Sequence, residues 1–334
     1  MEDEHKMVRS SAAWTFGRIT DIIPQSIQSN HNILQPIIKC LNDSVDLVSE
    51  RACWTIANLS EYYKKCNIKN NIITNNTKNF IQALLNRSSN KKSKTYAIFG
   101  CFEALNAVVQ LTPPNQFKML QQLLKQLIKE LTNLKNQINN MNKNDAIIGA
   151  RIGGIFSAIT CIMSHICGTI RKTKNNNDVI DLGLLDNNMC DNIMDASVKV
   201  LQLESPTIYE EALLSLSSVA DCVGTKFFKY LGSSKVQQLL VQAIRYGEKN
   251  EVLCRLGAGL IGDVFRTCEA AILALNGGNK KAFEKFTDNI VGLFIQQLKS
   301  GDLAMETKPT IIDALSDVCL GFGGTRYTND VLNN

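Results

Sequence analysis

Val8–Ile19 reads VRSSAAWTFGRI, and Val48–Leu59, 40 residues further on, reads VSERACWTIANL. Each stretch sets one tryptophan among small and aliphatic residues at helical spacing. A unit recurring at this distance is the period of two-helix HEAT or armadillo repeats. A pair of apolar residues three apart, embedded in small residues, marks the same element along the whole chain. The pairs are Phe16/Ile19, Ile56/Leu59, Leu105/Val108, Ile159/Ile162, Leu216/Val219, Ile261/Val264 and Leu315/Val318. Their uneven spacing fits loops that absorb insertions at small entropic cost.

Longer helices rich in Leu, Ile and Gln lie between these, at Ile33–Leu41, Ile72–Leu85, Phe117–Ile138, Met189–Leu203, Lys235–Tyr246 and Phe283–Leu298. Each repeat is then a helix A followed by a helix B. The expected fold is all-α, an α-α superhelix of about six to seven helix pairs with incomplete end repeats, stabilised by stacking. The whole of 1–334 reads as one HEAT-repeat solenoid, with B helices near 8–24, 48–63, 95–110, 146–167, 208–223, 251–272 and 307–321. The chain starts without a helix A and stops within one, so a fragment of a longer protein is expected. The asparagine-rich runs Asn70–Asn79, Asn136–Asn144 and Lys172–Asp178 read as inter-helix loops.

Composition narrows the function classes. Apolar residues make up 45% and charged residues 20%, ordinary for a folded domain. The net charge of +5 divides unevenly, about +10 over 1–180 and −5 over 181–334. Basic residues of the first half gather in Lys64–Lys94 and Lys118–Lys143, where Phe80 is the one ring among the lysines of the first run, so nucleic acid is disfavoured. Eleven scattered cysteines without C-x-x-C read as reduced core thiols, not a disulfide framework or zinc site. The acidic start MEDEHKM is no secretory signal, and apolar runs fall short of a membrane span, so no membrane partner is expected.

Catalytic chemistry is not evident. Gly149–Gly154 (GARIGG) and Gly257–Gly262 (GAGLIG) lack the preceding strand and the Gly-Lys-Ser/Thr ending of a phosphate loop, and read as helix-packing glycines. Cys161 and His165 lie four apart, but two further metal ligands are missing. No nucleophile–base pair or paired carboxylate stands out, so no enzyme, cofactor or metal is expected.

The B helices offer a different chemistry. A residue two before the first anchor lies about 200° round the helix from it. Trp14 and Trp54 therefore face outward if the anchors face the core, and seven residues on bring Asp21 and Glu61 to the same face. Matching positions in later repeats hold Glu103, Leu214 with Asp221, Gly259 and Asp313, and one turn further come Asn58, Asn106, Asp263 and Asp317. Arginine stacks on indole and pairs with carboxylate, so this face suits an extended basic peptide. A second reading has both tryptophans sealing contacts between successive B helices.

VRSSAAWTFGRITDIIP resembles a B helix of the importin-β (karyopherin-β) nuclear transport receptors, and RACWTIANLSE resembles the next one. FFKYL (Phe227–Leu231), GLIGDVFR (Gly259–Arg266) and KPTIIDALSDVCLGFGG (Lys308–Gly324) follow in the family's order. The resemblance covers nearly the whole chain, least at 62–94 and 167–187, and corresponds to the middle and later repeats of a longer receptor. It implies a non-catalytic carrier, shuttling between cytoplasm and nucleus through the nuclear pore. Its concave B-helix face would hold a basic cargo signal or the importin-α adaptor, and its outer helices would hold phenylalanine-glycine nucleoporins. Ran-GTP would bind mainly through repeats absent here.

The resemblance assigns Trp14 and Trp54 to the adaptor's basic arm. Asn58, the acids Asp21, Glu61, Asp221, Asp263 and Asp317 are a geometric extension of that site. A HEAT scaffold subunit of another complex is the alternative. The basic first half departs from the family's acidic character and, if it reached the concave face, would weaken capture of a basic arm.

Overall fold

The computed structural model describes residues 3–20, 22, 33–90, 92–138, 146–174, 183–201, 206–245, 250–300 and 303–322. Among these residues the chain is helical throughout, without a strand. It divides into two compact units, Met1–Thr173 and Lys174–Asn334.

In the first unit, α1 (Lys6–Arg18), α3 (Asp46–Lys65) and α6 (Thr95–Leu111) pack side by side in succession. Helix α2 (Leu34–Leu41) backs α3, and α4 (Ile72–Asn75) with α5 (Thr77–Ser88) backs α6. Helices α7 (Phe117–Ile138) and α8 (Ala146–Lys174) complete the unit. The first B helix stops at Arg18, short of the expected 24. The anchor rule holds in its physical content: from Ile56/Leu59 to Leu315/Val318 every pair is buried, while Phe16 and Ile19 are half-buried. Burying such a side chain is worth about 1.5–3 kcal/mol, so the anchors bind each B helix to its repeat.

Close approach explains Gly154 in the first glycine run and Gly257 and Gly262 in the second, while Gly153 and Gly259 face open space. A Cβ at Gly154 would come 2.1 Å from the Phe102 ring, and one at Gly257 would come 2.6 Å from Ala243 Cβ. These glycines let helices meet, as the sequence suggested. Between α3 and α6, the buried thiols of Cys53 and Cys101 lie 3.7 Å apart, Cys53 donating. That hydrogen bond, together with burial, pushes the Cys53 thiol well above its usual range.

Two expectations change. Asn70–Asn79 is not a loop: the Asn71 side chain accepts from the Ile73 and Thr74 amides, and Thr74 Oγ1 accepts in turn from the Asn71 amide. This capping box nucleates α4, and α5 begins two residues later. The other two asparagine-rich runs begin inside α7 and α8, and their remainders, 139–144 and 175–178, lie outside the described residues. Ala146–Lys172 is also long and apolar enough to cross a membrane, contrary to the run-length argument, although 61% of its apolar window is buried. It spends that surface against α6: Gly154 seats on Phe102, and Asn106 donates to Ser157 Oγ at 3.1 Å.

The second unit repeats the pattern. Helices α10 (Pro206–Val223), α13 (Glu251–Leu273) and α15 (Lys308–Gly321) pack in succession. Behind them lie α9 (Asn187–Leu201), α12 (Ser234–Arg245) and α14 (Gly277–Lys299). The FFKYL run forms a 3-10 turn and the short α11 (Phe228–Leu231), tied to α9 through Tyr230, whose hydroxyl donates to Asp191 at 2.5 Å. Lys229 joins the same carboxylate at 3.1 Å.

Candidate functional site: the exposed B-helix face

The Trp14 and Trp54 rings stack on one another, centroids 6.4 Å apart and planes 12° apart. The rings thus seal a contact between successive B helices and still reach the surface. The pair bridges α1 and α3, yet Trp14 remains 44% exposed and Trp54 half-buried. The helix contact beneath them is close, since a Cβ at Gly17 would fall 2.9 Å from Thr55 Oγ1. Thr55 Oγ1 donates to the Ala13 carbonyl at 2.8 Å, locking the register of the two helices. On the open side, the Arg18 guanidinium lies 5.9 Å from the centroid of Trp14.

Glu61 is exposed on α3. Asn58 is turned to structure: its amide donates to the Gly17 carbonyl at 3.2 Å. Asp21 lies outside the described residues. Two exposed aromatics missed by the sequence reading extend this side of the unit: Tyr96 at 43% and Phe99 at 47%, both on α6. The anchor rule looked only two residues before Leu105, at exposed Glu103, whereas these rings sit one and two turns earlier. Testing every outward position of α6 would have found them.

In the second unit the acids are brought together and then occupied. Arg266 pairs with Asp263 one turn before it on α13 and with Asp317 of α15 at 3.3 Å. Ser217 of α10 donates to Asp263 at 2.5 Å, so the network crosses three B helices. Burial pushes the Asp317 carboxyl above the usual carboxylate range, while Arg266 pulls it back down. Asp221 is half-buried on α10, Asp313 is exposed on α15, and Leu214 offers an aliphatic surface.

The Cys161–His165 pair is spent on packing. The His165 ring nitrogen meets the Thr112 carbonyl at 2.8 Å, and Cys161 donates to the Asn106 carbonyl at 3.5 Å. Among the described residues no group of three metal-ligating side chains converges.

Within each unit, helix pairs stacked in succession define a helical-repeat protein. The chain belongs to the importin-β family: the family model "Importin subunit beta-1-like, TPR repeats" matches residues 32–332. Among curated relatives, importin subunit beta-1 of Arabidopsis thaliana is 25% identical over 96% of this chain and 35% of its own length. The protein of the same name from Schizosaccharomyces pombe is 20% identical over 98% of the chain and 35% of its own length. The chain thus spans about a third of these relatives. A crystal structure of importin beta superposes with a TM-score of 0.75 at 20% identity, over 98% of this chain and 37% of that one. A Kap95:Nup1 complex superposes with 0.72 at 18% identity, over 100% and 36%. These likenesses establish the fold.

Proposed function

We propose that this chain is the cargo-holding part of a non-catalytic nuclear import receptor, and that the Trp14–Trp54 face binds a basic import signal or the basic arm of an importin-α adaptor. The observation that carries this reading is Arg18 over Trp14. The indole surface takes a guanidinium within the chain itself, the contact an arginine-rich ligand would reproduce by displacing Arg18. Such a contact contributes about 0.5–1 kcal/mol where exposed and about 2 where desolvated. Glu61 lies two turns along α3 from Trp54 and supplies charge complementary to the ligand.

Nucleoporin segments on the A helices and Ran in its GTP state, held mainly through other repeats, are the further partners this reading carries. A structural relative solved with Nup1 supports the nucleoporin part, and shuttling between cytoplasm and nucleus belongs to the same proposal. The test is binding of a labelled arginine-rich peptide to the full chain and to a Trp14→Ala/Trp54→Ala variant of unchanged helicity. Equal affinities at moderate salt would refute the assignment.

A further inference from the structure

The exposed rings of α6 bear on the same face as the tryptophans. Tyr96, Phe99 and Glu103 fall within about 60° of one another on the helix, at steps of three and four residues. The other large apolar side chains of the helix body, Ile98, Phe102 and Leu105, are buried. Two bonds of geometry fix which way this face looks. Lys64, about 80° round α3 from Trp54, donates to Gln110 Oε1 at 2.6 Å, and Gln110 lies about 40° round α6 from Tyr96. A Cβ at Gly100 would lie 3.5 Å from Cys53 Cβ and 3.7 Å from Glu50 Cγ, so α6 meets α3 just beside Trp54. The Trp54 side of α3 and the Tyr96/Phe99 side of α6 are therefore one continuous surface.

Its charge selects the occupant. Exposed Glu61 and Glu103 carry no ion pair among the described residues, and Glu50 shares only a 3.8 Å contact with Arg51. On the α3 side Lys64 is held by Gln110 and exposed Lys65 follows Glu61 by one turn, so the open acid of the α6 side is Glu103. Aromatic rings flanked by open carboxylates suit a planar cation, which stacks on the ring and pairs with the acid.

We infer that Tyr96, Phe99 and Glu103 form a third rung, which takes a second arginine of the same basic peptide that Trp14 and Trp54 hold. This rests on the proposed function above. Neighbouring packed helices lie about 8–10 Å apart, and an extended chain advances about 3.3–3.6 Å per residue. The second arginine therefore sits about three residues from the first.

The test uses the full chain and two labelled peptides, one with two arginines separated by two serines and one with the second arginine replaced by serine. Tyr96→Ala/Phe99→Ala should lower affinity for the two-arginine peptide about five-fold and leave the one-arginine peptide unchanged. Glu103→Lys, a charge reversal at an exposed site, should do the same without touching an apolar contact. Trp14→Ala/Trp54→Ala should weaken both peptides. If it does so while the α6 variants change neither, the third rung is wrong and the import-signal reading stands. If the tryptophan variant changes neither peptide, that reading falls and the rung defined as its continuation falls with it.

Discussion

The two units handle the same ingredients in opposite ways. The first buries Tyr63, Phe80, Phe102 and Phe156 but leaves three rings on the B-helix surface: Trp14, Tyr96 and Phe99 are each more than 40% exposed. The second leaves no ring exposed among its described residues. Phe227, Phe265, Phe283, Phe286 and Phe294 are in the core, and its exposed large apolar residues, such as Leu214, Ile312 and Leu320, are aliphatic. Acids divide the other way. Glu61 and Glu103 stand open in the first unit, while Asp263 and Asp317 in the second are already neutralised by Arg266. The B-helix faces of the two units thus differ in which groups they leave open. On the proposed reading, an incoming arginine would have to displace Arg266 in the second unit.

The strongest way to break this contrast is Trp14→Ala/Trp54→Ala. Losing the stacked pair should lower affinity for an arginine-rich peptide about ten- to hundred-fold, read by fluorescence anisotropy. A smaller effect, of opposite sign, should follow Arg266→Ala. Freeing Asp263 and Asp317 should raise affinity for the same peptide about five-fold, because the ligand no longer competes with an internal guanidinium. The cost in stability should be about 1 kcal/mol, kept small at the more exposed Asp263 and set mainly by the less exposed Asp317, which loses its cation. Unchanged or weaker binding by that variant would show that Arg266 does not guard the rung.

Acid sharpens the contrast most gently. In the first unit, burial would push the Asp43 carboxyl up, but hydrogen bonds from Arg9 and the Val45 amide outweigh it and hold it below the usual range. Its stabilising contribution is present above the unfolded carboxylate value, about 3.9, and is lost as pH falls through the lower folded value. Asp317 is raised, so its contribution is full below the unfolded value and is lost as pH rises through the folded one. Between about pH 5 and 3, amide exchange corrected for intrinsic rate should therefore quicken in α1 while α15 gains protection from this group. Equal responses in both helices would remove these two carboxyls as the source of any difference.

Much of this was legible in the residues themselves. The recurring small-residue B helices, the anchor pairs and the outward tryptophans follow from helical periodicity, which survives any loop length. The family emerged from five motifs in order. What was not legible depends on partners distant in sequence. Nothing in the local run at Trp14 says that Trp54 stacks on it, and nothing near Asp263 says that Arg266 will reach across to Asp317 as well. Asn58 looked like a ligand group because its donation to Gly17, 41 residues away, is a tertiary fact. The asparagine run failed for a local reason: composition suggested a loop, whereas the position of Asn71 before Ile72 makes it a helix cap.

The thiols of Cys53 and Cys101 turn the α3–α6 seam into a gauge. Both are fully buried, and the Cys53 proton is held tightly by burial and its neighbour. A thiol in that state does not react with an alkylating reagent while the seam is shut. Each alkylation therefore counts one parting of the two helices, and the labelling rate clocks how often the repeat stack breathes. A bound peptide that spans α3 and α6 should slow that clock, giving a readout of occupancy that needs no label on the ligand.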